Sequence, residues 1–413
     1  MSEPARTLGR VADLPILLAH APTRGAALVD RLRGRPLRFV CVVAHTETAE
    51  IDGISAAGVT PELRRLTAAA DAEALFHGRP RCMEGVPSNP LGAPGPVIIT
   101  LAGLRLSGAP FGVFGLGLRV RPDAPVTVVD RRWGRSIVTG DAVPHAAELF
   151  ERGYEHGRQL GEASRGAYLV VAESVPGGTT TALALLCGLG FDARGKVSGS
   201  MPGNAHALKN RVVRQALAAA GLLDGPRRTM DARPAFEPLR VAAAVGDPMQ
   251  PFVAGLVLAA HRRVPVLLAG GSQMAAVLAL MFEHARLHTV EVVRDNLAIA
   301  TTSWVVRDPA ADLGGLVAEI DGTGAAEAAA GIPVLAGDVD LGASRHPPLR
   351  RYEQFLAKEG VGAGAALVAA ALSTGVSREA LVAAIEQVYD EIYRDGIGAR
   401  ADPNPVAPDT ITR

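Results

Sequence analysis

The sequence predicts an α/β protein: a doubly wound parallel sheet with a smaller helical domain formed from both chain ends. Two observations carry this. Short, uninterrupted apolar runs end in Gly-rich turns and pass into Ala- and Leu-rich helical patterns, as in Ala167–Ala172, the turn Glu173–Gly178 and the pattern Thr179–Leu189. Runs without polar alternation read as strands buried on both faces, and right-handed crossovers between them make the sheet parallel. In addition, Arg350–Tyr393 is almost continuously helical in pattern, broken only at Gly360–Gly364 and near Ser373–Ser377.

Taken in order, Val11–Asp30 reads as helical and Leu37–Val43 as a strand. Asp52–Asp71 is polar and punctuated by Gly and Pro, leading into another helix. Residues 1–124 are expected to contribute to the small helical domain and to the sheet edge. Residues 125–335 are expected to form the parallel nucleotide-binding core. Its strands are Ala167–Ala172, Leu239–Val245 (ending at Gly246-Asp247) and Val264–Ala269 (ending at Gly270-Gly271). Helices then run to about Ala260 and Glu283. Residues 336–395 form the C-terminal helical cap, and 396–413, with three prolines and few apolar residues, a mobile tail.

Composition excludes several classes. Lys plus Arg is 42 and Asp plus Glu is 42 in 413 residues, with no run of like charge, so nucleic acid and anionic membranes are not expected partners. Apolar stretches are cut early: Phe252–Ala260 meets His261, Arg262 and Arg263, short of the roughly 18 apolar residues a spanning helix needs. Met1–Arg10 carries no apolar signal core, and the expected location is the cytoplasm. Cys41, Cys82 and Cys187 are scattered among apolar or small neighbours and read as buried or half-buried thiols. Only His284 and His288 are spaced i, i+4, with no second acidic or Cys partner read beside the pair, so no metal is expected.

The most informative segment is Glu173-Ser174-Val175-Pro176-Gly177-Gly178-Thr179-Thr180-Thr181, at the carboxyl end of a strand and the start of a helix. Ligands of such sheets bind at that edge. Paired glycines admit an anion to the backbone, the helix start supplies free N–H groups, and the threonines add hydroxyls. A phosphate fits, although an ordinary capped turn has the same residues. The lysine of a triphosphate P-loop is absent. A second loop, Ser198-Gly199-Ser200, precedes Lys209 on a helix. Asp247 and Gly270-Gly271-Ser272-Gln273 repeat the strand-end pattern, so several loops converge on one edge.

AESVPGGTTTALALL, KVSGSMPGNAHALKNRVVRQAL, VGDPMQPFVAGLVLAAHRRVPVLLAGGSQMAAVLAL and KEGVGAGAAL together resemble the nicotinate-nucleotide:dimethylbenzimidazole phosphoribosyltransferases of cobalamin lower-ligand assembly. With TETAEIDGISAAGVTPELRRLT they look more closely like a diverged branch of that family, over about Thr46–Ala370. The resemblance implies a parallel α/β domain with a helical domain from both ends, usually a homodimer. It implies transfer of ribose 5-phosphate from nicotinate mononucleotide to an azole base of benzimidazole type, giving an α-ribotide and nicotinate. Nicotinate leaves as a neutral pyridine, so no general acid is needed, and no pyrophosphate departs, so no cofactor is expected. Glu173–Thr180 matches the phosphate turn Glu-Met-Gly-Ile-Gly-Asn-Thr-Thr of the studied enzymes in length and in its Glu, second Gly and Thr-Thr positions.

The resemblance also implies a carboxylate that takes the acceptor's N–H proton, expected in Ser-His-Arg-Ser-Ala-Glu-Pro-Gly after an Ile-Ala strand end. The chain reads Ile299-Ala300-Thr301-Thr302-Ser303-Trp304-Val305-Val306-Arg307-Asp308-Pro309, without the Glu. Glu173 or Asp308 is therefore expected to be the base, Asp308 alternatively capping a helix over Ala310–Ala318. The remaining substrate and phosphate ligands are expected to be Pro176, Gly177, Gly178, Thr179, Thr180, Ser198, Ser200, Lys209, Asp247, Gly270, Gly271, Ser272 and Gln273. Glu359 could close the site from the cap or simply pack there. Two other functions stay open: a nucleotide-binding or regulatory protein that has lost catalysis, and a transferase with a different acceptor.

Overall fold

All seven residues of Tyr168–Ser174, all four of Val266–Ala269 and all six of Leu297–Thr302 are buried, as strands covered on both faces require. In the computed structural model, which describes residues 8–223, 235–323 and 331–393, they belong to one nine-stranded sheet. Its strands are β1 (Gly9–Arg10), β2 (Ile16–His20), β3 (Leu37–Ala44), β4 (Phe111–Leu116), β5 (Thr127–Asp130), β6 (Tyr168–Ser174), β7 (Val266–Ala269), β8 (Leu297–Thr302) and β9 (Val334–Gly337). The order is β1-β2-β9-β8-β7-β6-β3-β4-β5. All pairings from β9 to β5 are parallel, and β2 and β1 add an antiparallel edge. The chain runs outward from β3 to β5, returns to lay β6 against the other side of β3, and runs outward again to β9. The switch point lies between β3 and β6.

Three elements differ from the sequence reading. Val11–Asp30 is not one helix: Ile16–His20 pairs with β9, and a helix starts only at Pro22, where the missing N–H costs nothing at a first helical position. Leu239–Val245 is not a strand but the helix Pro238–Val245. The Glu237 side chain accepts from the N–H groups of Leu239 and Arg240, and Pro238 opens the helix. A short apolar run fits a buried helix as well as a buried strand, and this cap decides between them. Finally, residues 1–124 supply more than sheet edge, because β3 lies inside the sheet between β6 and β4. The tail expected at 396–413 lies outside the described residues.

Alternation along the strands builds two cores. Leu169 and Val171 of β6 join Val42 of β3 under the helices Ala146–Ala163, Gly178–Gly188, Met249–Ala260 and Ser272–Leu287. Tyr168, Val170 and Ala172 join Phe39 and Cys41 on the opposite face. That face is covered from both chain ends, by Pro61–His77 and Val97–Ser107 before the core and by Ala363–Thr374 and Arg378–Tyr393 after it. Among the described residues, no helix is long and apolar enough to cross a membrane.

The segment leading into Ala363–Thr374 is laid directly on the strand tips. The Val361 N–H donates to the Glu173 carbonyl at 2.8 Å. A Cβ on Gly362 would stand 2.6 Å from Ala172 Cβ, and one on Gly364 would stand 1.8 Å from the Thr301 carbonyl carbon. Gly364→Ala should therefore lift this segment off β8 and cost about 1–3 kcal/mol, as overpacked sites do. A lowered urea midpoint checks this, and an unchanged midpoint would show that the segment yields freely.

Candidate functional site

At the carboxyl ends of β6 and its neighbours, beside the switch point, the loops part around a cleft. Its floor is Glu173–Thr179, its walls include residues 54–57 after β3, Pro87–Asn89 and Gly199–Met201, and residues 356–361 of the C-terminal segment close one side.

Part of the lining is a glycine turn with a buried cation. Gly177 turns the chain at φ 77°, and a Cβ there would lie 2.9 Å from Ala49 Cα, so only glycine combines this turn with that approach. The helix Gly178–Gly188 begins immediately after it; Gly178 N–H donates to the Val175 carbonyl and Thr180 N–H to the Gly177 carbonyl, which leaves the N–H groups of Gly177 and Thr179 without an acceptor among the described residues. Facing it is Lys209, on the helix His206–Ala219. Its side chain is 2% exposed, lines the cleft, and has no hydrogen-bond or ion-pair partner among the described residues. Burial, with Lys358 nearby, pushes its ammonium down to about 7. A buried cation with unused donors beside a helix start is a site for an anion.

The same lining carries carboxyls. Glu173 is 2% exposed; its Oε1 accepts from Gln273 Nε2 at 2.9 Å and its Oε2 from the Val175 N–H at 3.1 Å. Burial first, then Glu359 and Asp247, push its carboxyl well above the usual range. Glu359, half-buried in the cleft wall, accepts from Thr301 Oγ1 at 3.0 Å and from the Gly360 N–H at 3.1 Å. Burial holds it at about 7 against those hydrogen bonds. Asp71, from the helix Pro61–His77, is 5% exposed, accepts from Ser174 Oγ at 2.6 Å and is likewise raised to about 7 by burial.

Asp308 lies behind the cleft. Its Oδ2 accepts from Lys358 Nζ at 2.6 Å, Ser198 Oγ at 2.7 Å and Asn204 Nδ2 at 2.9 Å, with both ions of the pair 3% exposed. These donors outweigh burial and hold its carboxyl below the usual range. The helix expected from Ala310 begins at Leu313 and is capped by Asp312.

The structure thus brings Glu173, Pro176, Gly177, Gly178, Thr179, Ser200, Lys209 and Gln273 to the cleft. Ser198, Gly271 and Ser272 line a small adjoining recess, which Glu173 and Glu359 also border. Thr180 is fully buried with no partner for its hydroxyl, and Gly270 joins β7 to β8 through its N–H. Asp247 is not brought to the cleft: it caps Met249–Ala260 and accepts from Thr181 Oγ1 behind the phosphate-type turn. Sequence reasoning missed Asp71 and Asn89. Asn89 Nδ2 donates to the carbonyls of Ser200 and Leu356 and ties three loops together. The lone Asp in the Ala-rich stretch 68–74 was the available signal for the first. The structure also places Glu237 beside His284 and His288, one ligand atom of each within 4.8 Å of the others, away from the cleft.

Fold and site together define an α/β protein whose cleft, at the switch point of a largely parallel sheet, sets a glycine turn and a buried lysine against a group of carboxylates. The chain is 41% identical over 394 residues to a UPF0284 protein of Gloeobacter violaceus, covering 94% of this chain and 96% of that one. It is 41% identical over 367 residues to a UPF0284 protein of Methanothermobacter thermautotrophicus, covering 88% and 95%. The protein belongs to the UPF0284 family. No family model matches the chain. Among solved structures, a nicotinate-nucleotide-dimethylbenzimidazole phosphoribosyltransferase from Thermus thermophilus superposes with a TM-score of 0.51 at 20% identity, covering 89% of this chain and 87% of that one. The two share the fold.

The buried lysine makes a stability prediction. With its folded pKa near 7, below that of the unfolded chain, the unfolded state binds more protons above pH 7 and the lysine's cost falls as pH rises. In ligand-free protein, Lys209→Met should raise the denaturation midpoint most at or below pH 7, with the gain shrinking toward pH 10. Urea titrations of both proteins across that range check it.

Proposed function

We propose that the protein is a phosphoribosyltransferase that moves ribose 5-phosphate from nicotinate mononucleotide to a benzimidazole-type base, giving an α-ribotide and nicotinate. The observation that carries this reading is the make-up of one cleft lining: unpartnered Lys209 and the start of helix Gly178–Gly188 share it with Glu359 and Glu173. The fold shared with the Thermus enzyme, and the motifs around Glu173–Thr180, support it.

In this reading the phosphate sits on the turn Pro176–Thr179, where N–H groups, the Thr179 hydroxyl and Lys209 meet its charge. The sugar's anomeric carbon then lies toward the carboxylates. As the acceptor's ring nitrogen forms a bond to that carbon, the bond to nicotinate breaks and its electron pair returns to the pyridine nitrogen. The N–H proton of the acceptor's other nitrogen passes to a carboxylate. Of Glu173, Asp308 and Glu359, Glu359 suits this role best: it lines both the cleft and the recess beside Glu173 and is poised at about 7, near the operating pH, whereas Asp71, also near 7, lines the cleft alone and is hydrogen-bonded to Ser174. Asp308 is committed to Lys358 and acts as structure, and Glu173, raised further by burial, serves as a neutral neighbour that positions the sugar. The family resemblance favours a homodimer as the working form.

Incubating the protein with nicotinate mononucleotide and a panel of bases should release nicotinate, and no release with any base would leave a binding protein instead. Glu359→Gln should lower turnover about a hundredfold or more with nucleotide affinity nearly kept, the ordinary effect of losing a general base. Wild-type turnover should rise with pH through about 7 as Glu359 ionises. If Glu173→Gln shows the larger loss, Glu173 is the base. Asp308→Asn should instead unfold more easily, by about 3–5 kcal/mol, because Lys358 is left buried without its partner.

A further inference from the structure

Asp71 is a buried carboxyl at the cleft to which the reaction assigns no work. Ser174 Oγ occupies its Oδ2, while its Oδ1 has no hydrogen-bond partner among the described residues, and the side chain lines the cleft. The other polar side chains of that wall each have a hydrogen-bond partner. Thr67 Oγ1 donates to the Ala57 carbonyl at 2.6 Å, Asn89 Nδ2 to two carbonyls, and Ser88 Oγ to the Val86 carbonyl at 2.9 Å, while Ser55 Oγ accepts from the Ala57 N–H at 3.2 Å. Around them the wall is apolar, with Ile54, Ala56 and Ala57. Asp71 is one of the carboxyls that raise Glu173.

Resting on the transferase reading, we propose that Asp71 and Ser174 form an acceptor-recognition subsite, and that the acceptor is a planar bicyclic azole bearing an exocyclic hydrogen-bond donor, amino or hydroxyl, rather than only hydrocarbon substituents. With the phosphate held by the turn Pro176–Thr179 and Lys209 and the anomeric carbon beside Glu359, the acceptor ring is left the wall of Ile54–Ala57 and Asp71. A ring seated there strips water from Asp71. A hydrocarbon edge leaves Oδ1 without a partner, which is costly for a buried carboxyl, whereas an amino or hydroxyl group donates to it. Sites built to meet a substrate donor reject analogues that lack it far more strongly than apolar pockets reject an extra methyl.

Calorimetric titration of the full chain with 5-aminobenzimidazole, 5-hydroxybenzimidazole and 5,6-dimethylbenzimidazole tests this, in the presence of nicotinate mononucleotide or of nicotinate. At least one donor-bearing base should bind tenfold or more tightly than the dimethyl base, and the two donor arms show which group is read. Asp71→Leu combined with Ser174→Ala should erase or reverse the preference. Asp71→Asn, which keeps the size, should reduce it several-fold should the double variant not fold. The proposal is overturned if the dimethyl base binds equally well or better, if no base binds, or if the preference survives in a folded Asp71 variant. Nicotinate release with the dimethyl base preferred would sink the subsite and keep the transferase; donor-selective binding without release from any base would do the opposite.

Discussion

The site depends on one contact: the backbone of residues 359–364 lying across the carboxyl ends of β6, β7 and β8. The hydrogen bond from Val361 N–H to the Glu173 carbonyl fixes its height. Gly362 and Gly364 allow it to approach Ala172, Ala269 and Thr301 closer than any side chain would permit. Thr301 and Thr302 at the tip of β8 then hold Glu359 Oε2 and the Lys358 carbonyl. Through this crossing the C-terminal helices become part of the cleft wall instead of a separate layer. The mainly Ala and Gly composition of Ala363–Thr374 serves the same end, since Gly103 of Val97–Ser107 must come within contact of the Ala366 backbone.

A buried carboxylate is expensive unless it is paired or neutral, and this protein uses both solutions within a few residues. Lys358 and Asp308 neutralise one another, with Ser198 and Asn204 filling the remaining acceptor sites, which gives rigid structure. Its neighbour in sequence, Glu359, has only backbone N–H groups and a hydroxyl as partners and stays poised to exchange a proton. The pair anchors residue 358 so that residue 359 can remain uncommitted. Lys209 is the complement: a buried cation with no carboxylate of its own, whose burial carries a cost that a bound phosphate would remove.

Much of this was legible in the sequence, for physical reasons. Strands buried on both faces leave unbroken apolar runs, so β3, β6 and β7 stood out, and a glycine turn between strand and helix marked what became the floor of the cleft. The run Leu239–Val245 misled because a buried helix of eight residues and a buried strand show the same apolar content, and the Glu237 cap that decides between them lies outside the run. The inward place of β3 was hidden because strand order depends on long-range pairing that no local pattern records. Asp71 and Lys358 were invisible for a related reason: a single charged residue on a helix or in a loop looks solvated until the packing around it is known.

The same limit explains the missing carboxylate after β8. A site needs a proton acceptor at a point in space, and the chain segment that delivers it is free to differ. Here the loop after β8 supplies Asp308, which is locked to Lys358, and the crossing segment supplies Glu359 against Thr301 of the same strand. In the transferase reading, the position beside the anomeric carbon is filled from the C-terminal side, while the loop that lacks the glutamate has become the anchor for its replacement. A departure from a motif therefore counts against catalysis only once the volume around the reacting atoms has been searched for another group with the right chemistry, and in the transferase reading Glu359 is that group.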